Sequence, residues 1–323
     1  MVAITWAENL SIIPEEQAGF RSGRGCGDNV FNLLATLQIA IRLQGSAAYS
    51  LFVDLRRAFD SVPHDKLWSK LYSLGLSPKL LNVIKALYDV TCMQVRVNGE
   101  LSKPIDITSG VLQGETLSPI LFVLYISDLN TFLTNCGAEG LSLGPCTSLL
   151  CLKYADDLVL LARTPVMLRR ILKFLERYCD LNDLTVNTDK TKILKSSSSG
   201  RINSKDTFKY KEESIEVVKS FEYLGVYFTA SLQGDAAALS AVKKSKLASG
   251  AVLNILSRLK ANSWKGKTHV YNCLSKSMLL YLAHIWCLSQ KNIDKLESAQ
   301  MDFYKRLFCL PFVYPRLRNK DRT

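Results

Sequence analysis

None of the nine cysteines forms a Cys-x-x-Cys pair, and the three histidines, His64, His269 and His284, stand at no zinc spacing. That excludes a zinc-held domain. The cysteine count is odd and the N-terminus has neither the layout of a signal peptide nor that of a targeting segment. A reduced, intracellular protein is expected, nuclear or cytoplasmic, with thiols serving mostly as core filler. The most apolar run, Ile120 to Ile126, is far too short to span a bilayer, so no membrane is expected. No repeat recurs at a fixed period. Lysine and arginine are missing altogether from residues 1–16.

What is present points to a folded, two-part chain. At 323 residues and 48% hydrophobic, it can bury a large core or two to three subdomains. Its net charge of +12 is unevenly spread. Residues 1–195 carry 20 basic against 19 acidic side chains, whereas residues 196–323 carry 21 against 10. Such a split suits chemistry in the first part and a polyanion held by the second, although a solvated basic surface would look the same.

Periodicity predicts a helix over 28–43 capped by Asp28 or Asn29, with Val30, Leu33, Leu34 and Leu37 on one face. A buried strand over Ser50–Leu55 follows, then a helix from Ser77-Pro78 to about Tyr88. Asn98-Gly99 after an alternating run marks a tight hairpin, and Ser118-Pro119 opens a helix through about Phe132. The apolar runs Leu149–Leu152 and Leu158–Leu161 flank Tyr154-Ala155-Asp156-Asp157, which reads as a hairpin with carboxylates at its tip. Thr164-Pro165 caps an amphipathic helix with Leu168, Ile171, Leu172, Leu175 and Cys179 on its apolar side. Residues 236–309 read as all-helical with bases from Lys243 through Lys267, Lys260 among them, and the residues from Pro311 onward have little pattern. The order gives an α+β core followed by an all-α domain.

Nucleotidyl transfer asks a protein for charge neutralisation and in-line positioning. Two Mg²⁺ ions about 3.5–4 Å apart serve that chemistry and prefer carboxylate oxygens. Asp54, at the end of one apolar strand, and Asp156 with Asp157, at a hairpin tip, are such a set. Alone, Asp156-Asp157 could simply make a turn; the two motifs in order and in matching contexts favour the metal reading.

The surrounding residues are more specific. Phe52-Val53-Asp54-Leu55-Arg56-Arg57-Ala58-Phe59-Asp60, Gly110-Val111-Leu112-Gln113-Gly114-Glu115-Thr116-Leu117-Ser118-Pro119 and Tyr154-Ala155-Asp156-Asp157 occur in that order. Leu184-Thr185-Val186-Asn187-Thr188-Asp189-Lys190-Thr191-Lys192 and Phe221-Glu222-Tyr223-Leu224-Gly225 follow, and Gln17-Ala18-Gly19-Phe20-Arg21-Ser22-Gly23-Arg24 precedes them. Together they resemble the motif series of non-LTR (LINE-type) retrotransposon reverse transcriptases. Leu280-Tyr281, Trp286 and Leu310-Pro311 resemble more weakly the region after that polymerase core.

The resemblance implies a right-hand polymerase with a ferredoxin-like palm, an antiparallel sheet plus helices, beside partial fingers and an all-α thumb. The implied bounds are fingers 1–47 and 64–107, palm 48–63 and 108–232, thumb 233–310 and tail 311–323. It implies an RNA-directed DNA polymerase that uses two Mg²⁺, with Mn²⁺ as a substitute, an RNA template, a DNA primer or RNA–DNA hybrid, and dNTP substrates. Asp54, Asp156 and Asp157, with the Leu55 carbonyl, would hold the metals. Lys190 would protonate the leaving pyrophosphate, unless it is merely solvated. Phe59, five residues after Asp54, would exclude a ribose 2′-hydroxyl, its alternative being a core aromatic. Gln113 and Gly114 would pack on the incoming nucleotide. Tyr154, Tyr223, Leu224 and Gly225 would meet the primer, Arg21 a phosphate, and Lys243, Lys244 and Lys246 the primer–template. The sequence departs from the family in lacking an earlier fingers strand with basic residues that clamp the triphosphate, in placing Leu112 and Glu115-Thr116 where the family often has a basic residue and a small-proline pair, and in showing no endonuclease or zinc-knuckle segment. Those departures lead to the expectation of a fragment, a decayed copy or a truncated gene model. They keep a nucleic-acid-binding remnant as the rival reading. A nucleotide cyclase is disfavoured, because it needs neither a primer-grip motif nor a basic thumb.

Overall fold

The computed structural model describes residues 2–45, 47–112, 114–145, 147–200, 206–258, 263–287 and 289–308. Gln113, Lys260, Cys146, Cys309, Leu310 and the tail 311–323 lie outside the described residues. The chain divides into two compact units, residues 1–224 and 225–323.

Unit 1 is built on a six-stranded sheet. Its strands are β1 (Ala48–Val53), β2 (Cys151–Tyr154), β3 (Asp157–Ala162), β4 (Lys192–Ser196), β5 (Phe208–Tyr210) and β6 (Glu213–Val218). The order across the sheet is β5-β6-β4-β1-β3-β2, antiparallel throughout except for the parallel β4–β6 pair. Every residue of β1 is buried, as a central strand covered on both faces requires. Helix α1 (Cys26–Gln38) lies against β2, and α3 (Pro165–Leu181) lies against β1, β3 and β5. Tyr49, Leu51 and Val53 share one core with Leu158, Leu160, Leu168, Ile171, Leu172 and Leu175. On the opposite face Phe52 stacks on Phe221 at 4.2 Å between ring centroids.

The amphipathic helix α3 runs as its sequence dictates, with the Thr164 hydroxyl accepting from the Met167 amide and Pro165 in the first turn. Asn98 and Gly99 both take positive φ, at +51° and +93°, and turn Arg96–Val97 back onto Glu100–Leu101. Other expectations need correction. Helix α1 starts at Cys26, not 28, because Gly25 is the cap and the Asp28 carboxylate reaches back to accept from the Gly25 amide at 2.7 Å. It continues as a π-helical turn over Ile39–Leu43. The helix expected from Ser118 to Phe132 is two helices, α2 (Ser118–Tyr125) and a second turn set at Leu129–Asn135. The break coincides with Lys153, whose ammonium donates to the Ile126 and Ser127 carbonyls at 3.3 and 3.1 Å. Those carbonyls are thus satisfied from outside the helix. Of the cysteines, only Cys151 and Cys179 are buried among the described residues, so core filling accounts for fewer thiols than expected.

Unit 2 is helical apart from a short strand at Val226–Thr229. Its longest element, α4 (Asp235–Arg258), packs against α5 (Gln290–Leu307). Val252, Leu256, Tyr271 and Phe303 form the centre, with the Tyr271 and Phe303 rings stacked at 4.0 Å. Small residues bring α4 close to the π-helical turn Asn272–Lys276, where the Ser245, Ser249 and Ser275 hydroxyls bond one another at 2.7–2.9 Å. Among the described residues no helix is long and apolar enough to cross a membrane.

Lys153 is fully buried and, among the described residues, its ion-pair partner is Glu16, at 3.3 Å. Lys153→Met should therefore strand a largely buried charge and two helix carbonyls, costing about 3–5 kcal/mol in urea denaturation. Lys153→Met with Glu16→Gln should recover much of that loss. A single variant within about 1 kcal/mol of the parent would contradict the buried-pair reading.

Candidate active site

The sheet register brings the acidic side chains together. Val53 on β1 pairs with Leu158 on β3, so the next position sets Asp54 across from Asp157. On the other side of that strand, Tyr154 pairs with Asp157, leaving Ala155-Asp156 as a two-residue turn. Ala155 adopts φ +56°, the left-handed conformation that such a turn needs. From the β4 side the Lys190 ammonium comes within 3.9 Å of the Asp54 carboxylate. Asp54 thus sits at the end of the central strand, between the Asp156-Asp157 tip and Lys190.

The backbone around Asp54 is fixed from the segment that follows α3. The Asp54 amide donates to the Thr191 hydroxyl at 3.2 Å, and its carbonyl accepts from the Asn187 amide at 2.8 Å. Leu55 bridges Val186, and the Arg56 amide donates to the Thr185 carbonyl at 2.7 Å. The Phe59 carbonyl accepts from the Val111 amide at 2.7 Å, which draws the loop after Asp54 towards the Gly110–Gly114 segment. Phe59 is half-buried, its ring 4.8 Å from that of Phe122. Gly114 takes φ +93° with open space around its Cα, so it serves the turn and leaves the surface clear.

Like charge and burial act on the pair at the tip. Partial burial raises Asp156 above the ordinary carboxylate value; its own amide offsets this in part and Asp54 adds to it. Asp157 is pushed up to about 6, first by burial of its carboxyl and then by repulsion from Asp156 and Asp54. Because Asp157 still reaches solvent, the repulsion is the cause the geometry supports best. The Tyr154 hydroxyl, bonded to the Cys26 thiol and partly buried, is pushed up to about 12 and stays protonated.

Among the described residues no group of three or more His, Cys, Asp and Glu side chains is gathered so as to hold a metal ion by itself. Magnesium asks for less, namely one or two carboxylates with substrate phosphates and waters completing its shell. Hard oxygen donors that repel one another at the end of a buried strand fit such an ion, which would relieve the repulsion.

Tyr223 is buried, and its hydroxyl accepts from the Asn29 side-chain amide at 3.3 Å. Leu224 and Gly225 form a positive-φ turn, at +46° and +81°. The Arg21 guanidinium is engaged by the Pro14 carbonyl at 3.1 Å and by Glu15 at 3.2 Å. In unit 2, Lys243 and Lys244 lie on the exposed face of α4, and Lys246 pairs with Asp302 at 3.4 Å. Three residues outside the expected site support the turn that carries Asp156: Gln17 accepts from the Ala155 amide, Asn29, expected only as a helix cap, donates to the Lys153 carbonyl, and Lys153 lies on β2 itself. Gly19 was the available signal, since a Cβ there would stand 2.6 Å from the Ala155 nitrogen.

The raised Asp157 sets a pH dependence. Its carboxyl titrates near 6 in the fold and near 3.8 when unperturbed, so the folded state binds more protons between those values. Stability from this group is therefore present below about pH 3.8 and is lost as pH rises through about 6. In metal-free buffer, Asp157→Asn should raise the melting temperature relative to the parent more at pH 7.5 than at pH 4.5. An offset that is equal at both pH values would contradict the repulsion.

The profile of the family described as reverse transcriptase (RNA-dependent DNA polymerase) matches residues 2–228. The RNA-directed DNA polymerase from mobile element jockey of Drosophila funebris is 23% identical over 98% of this chain and 34% of its own length. A probable RNA-directed DNA polymerase from transposon BS of Drosophila melanogaster is 31% identical over 56% of this chain and 20% of its own. The chain thus spans about a third or less of these relatives. A solved structure of telomerase from Candida albicans, in complex with a fragment of telomeric RNA, superposes with a TM-score of 0.52 at 14% identity. It covers 94% of this chain and 52% of the telomerase chain, a likeness consistent with the right-hand polymerase fold. By its motif series, its α+β sheet and the family match over most of its length, the chain belongs to the reverse transcriptase (RNA-dependent DNA polymerase) family, of the kind carried by non-LTR retrotransposons.

Proposed function

We propose that this chain carries the polymerase activity of a non-LTR retrotransposon, extending a primer with dNTPs on an RNA template. The observation that carries the proposal is the register that sets Asp54 opposite Asp157, beside the Asp156 turn, with Lys190 at 3.9 Å. In this reading residues 48–63 and 108–232 are palm, 1–47 and 64–107 fingers, and 233–310 thumb.

Asp54, Asp156 and Asp157, with the Leu55 carbonyl, would hold two Mg²⁺ ions, which supply activation of the 3′-hydroxyl and neutralisation of the triphosphate. The protein's own groups do the rest. The Asp54 backbone, tied at both its amide and its carbonyl, fixes where the carboxylate points. Lys190 holds a proton at Nζ for the departing pyrophosphate oxygen. The Phe59 ring, backed by Phe122, is assigned to exclude a 2′-hydroxyl by overlap and so to select deoxynucleotides. Gln113 and Gly114 are assigned to the face of the incoming nucleotide, and Tyr154, Tyr223, Leu224 and Gly225 to the primer end. Arg21 is assigned to a phosphate, although its present partners are Glu15 and Pro14. The exposed Lys243 and Lys244, with Lys246, offer phosphate contacts to a primer–template. A nucleic-acid-binding remnant is the weaker reading, because the acidic set stands complete.

Primer extension on an RNA template tests the assignment. Asp156→Asn should lower the rate by roughly 1,000-fold or more, the equivalent of several kcal/mol of lost charge stabilisation, without changing the fold. Activity within a few fold of the parent would remove Asp156 from the site. Phe59→Ala should reduce dNTP-over-rNTP selectivity by about 10- to 200-fold. Unchanged selectivity would make Phe59 a packing residue only.

A further inference from the structure

The turn that presents Asp156 is held from outside the sheet by residues 16–19. The Lys153 amide donates to the Glu16 carbonyl at 2.8 Å, and the Ala18 amide donates to the Lys153 carbonyl at 3.0 Å. Gln17 and Lys153 form a parallel bridge, so this segment acts as a short extra strand on the outer edge of β2. The Gln17 side chain then reaches the turn itself. Its Oε1 accepts from the Ala155 amide at 3.1 Å and from the Gly19 amide at 2.9 Å. Ala155 is the left-handed residue immediately before Asp156, and among the described residues Gln17 is the group that holds its amide. Gly19 lies so close to the turn that any Cβ would overlap the Ala155 nitrogen.

Gln17 is nearly fully buried, and its Nε2 has no hydrogen-bond partner among the described residues. A buried amide with one unpaired end is costly, and an apolar side chain of the same length would fill the space without that cost. What an apolar side chain lacks is the acceptor oxygen. A non-glycine residue at positive φ is also held only when its surroundings over-determine it.

We propose that Gln17 is a positioning residue for the polymerase reaction: through Ala155 it fixes the turn on which the Asp156 carboxylate is carried. The inference rests on the reverse-transcriptase reading of that site. Gln17 touches neither substrate nor Asp156 in this account and acts through the backbone amide it binds.

The test uses the full chain with Gln17→Met, which keeps the length and removes the acceptor, and Gln17→Glu, which keeps an acceptor oxygen. Should Gln17→Met fail to fold, Gln17→Asn, one methylene too short to reach the turn, takes its place. Three readouts are compared with the parent: hydrogen exchange at the Ala155 amide, Mn²⁺ affinity by electron paramagnetic resonance, and steady-state dNTP incorporation. Gln17→Met should expose the Ala155 amide to exchange and weaken Mn²⁺ binding. Its kcat should fall by about 10- to 100-fold, as expected for a catalytic group displaced by about an ångström. The KM for dNTP should stay within about two-fold, since nucleotide contacts are untouched. Gln17→Glu should restore protection of Ala155 and most of the Mn²⁺ affinity.

A folded Gln17→Met with parental Mn²⁺ affinity and kcat would overturn the inference, even if its melting temperature dropped. Failure of the underlying reading looks different: the parent itself would not extend a primer. The exchange and Mn²⁺ readouts would then still decide whether Gln17 holds the turn.

Discussion

Repulsion among carboxylates is the constraint around which unit 1 is organised. Asp54, Asp156 and Asp157 are driven apart by like charge, and the partial burial of Asp156 sharpens the effect. They stay together because the strands that carry them cannot move separately. Strand β1 is buried along its whole length and paired on both sides, to β3 and to β4. A slip of one residue would turn its entire apolar set to the wrong face. The free energy of burying the sheet therefore opposes the cost of holding the acids close, and the raised Asp157 registers that cost.

Two further sets of contacts keep the arrangement from relaxing locally. Behind Asp54, the Thr185–Thr191 segment binds the backbone of residues 54–56 through main-chain and hydroxyl groups. Behind the Asp156 turn, Gln17, Asn29 and Lys153 form a polar brace. Asn29 donates to the Lys153 carbonyl at 2.9 Å and to the Tyr223 hydroxyl at 3.3 Å, while the Lys153 ammonium binds Glu16 and the end of α2. Lys190 stays largely exposed beside the Asp54 carboxylate.

Local patterns in the chain foretold much of this. Asn98-Gly99 and Thr164-Pro165 each carry their own stereochemical reason and appear where expected, whereas the strand before Asp54 runs over Ala48–Val53, two residues earlier than its apolar run suggests. The family motifs pointed to the acidic set. What stayed hidden depends on partners distant in sequence. Lys153 within a strand reads as a solvent-facing residue, and nothing nearby announces that Glu16 and two helix carbonyls will bury it. The same contact explains why a continuous apolar stretch from Ser118 breaks after Tyr125. Helix α1 starts two residues before the expected cap because Gly25 offers no capping side chain, and Asp28 caps from inside the helix. Gln17 lay within a recognised motif, but its role depends on a turn in another part of the chain.

The central proposal is that one sheet register lets Asp54 and the Asp156-Asp157 tip act as a single cation site. Mn²⁺ titration followed by electron paramagnetic resonance tests it most directly, using Asp54→Asn, Asp156→Asn and, as a control, Asp89→Asn on the exposed end of the helix Pro78–Asp89. The account predicts that the two site variants each weaken the same Mn²⁺ signal by about ten-fold or more, their combination adding less than the sum of the two, while the control matches the parent. Undiminished Mn²⁺ binding in Asp54→Asn, or strictly additive losses in the double variant, would contradict it.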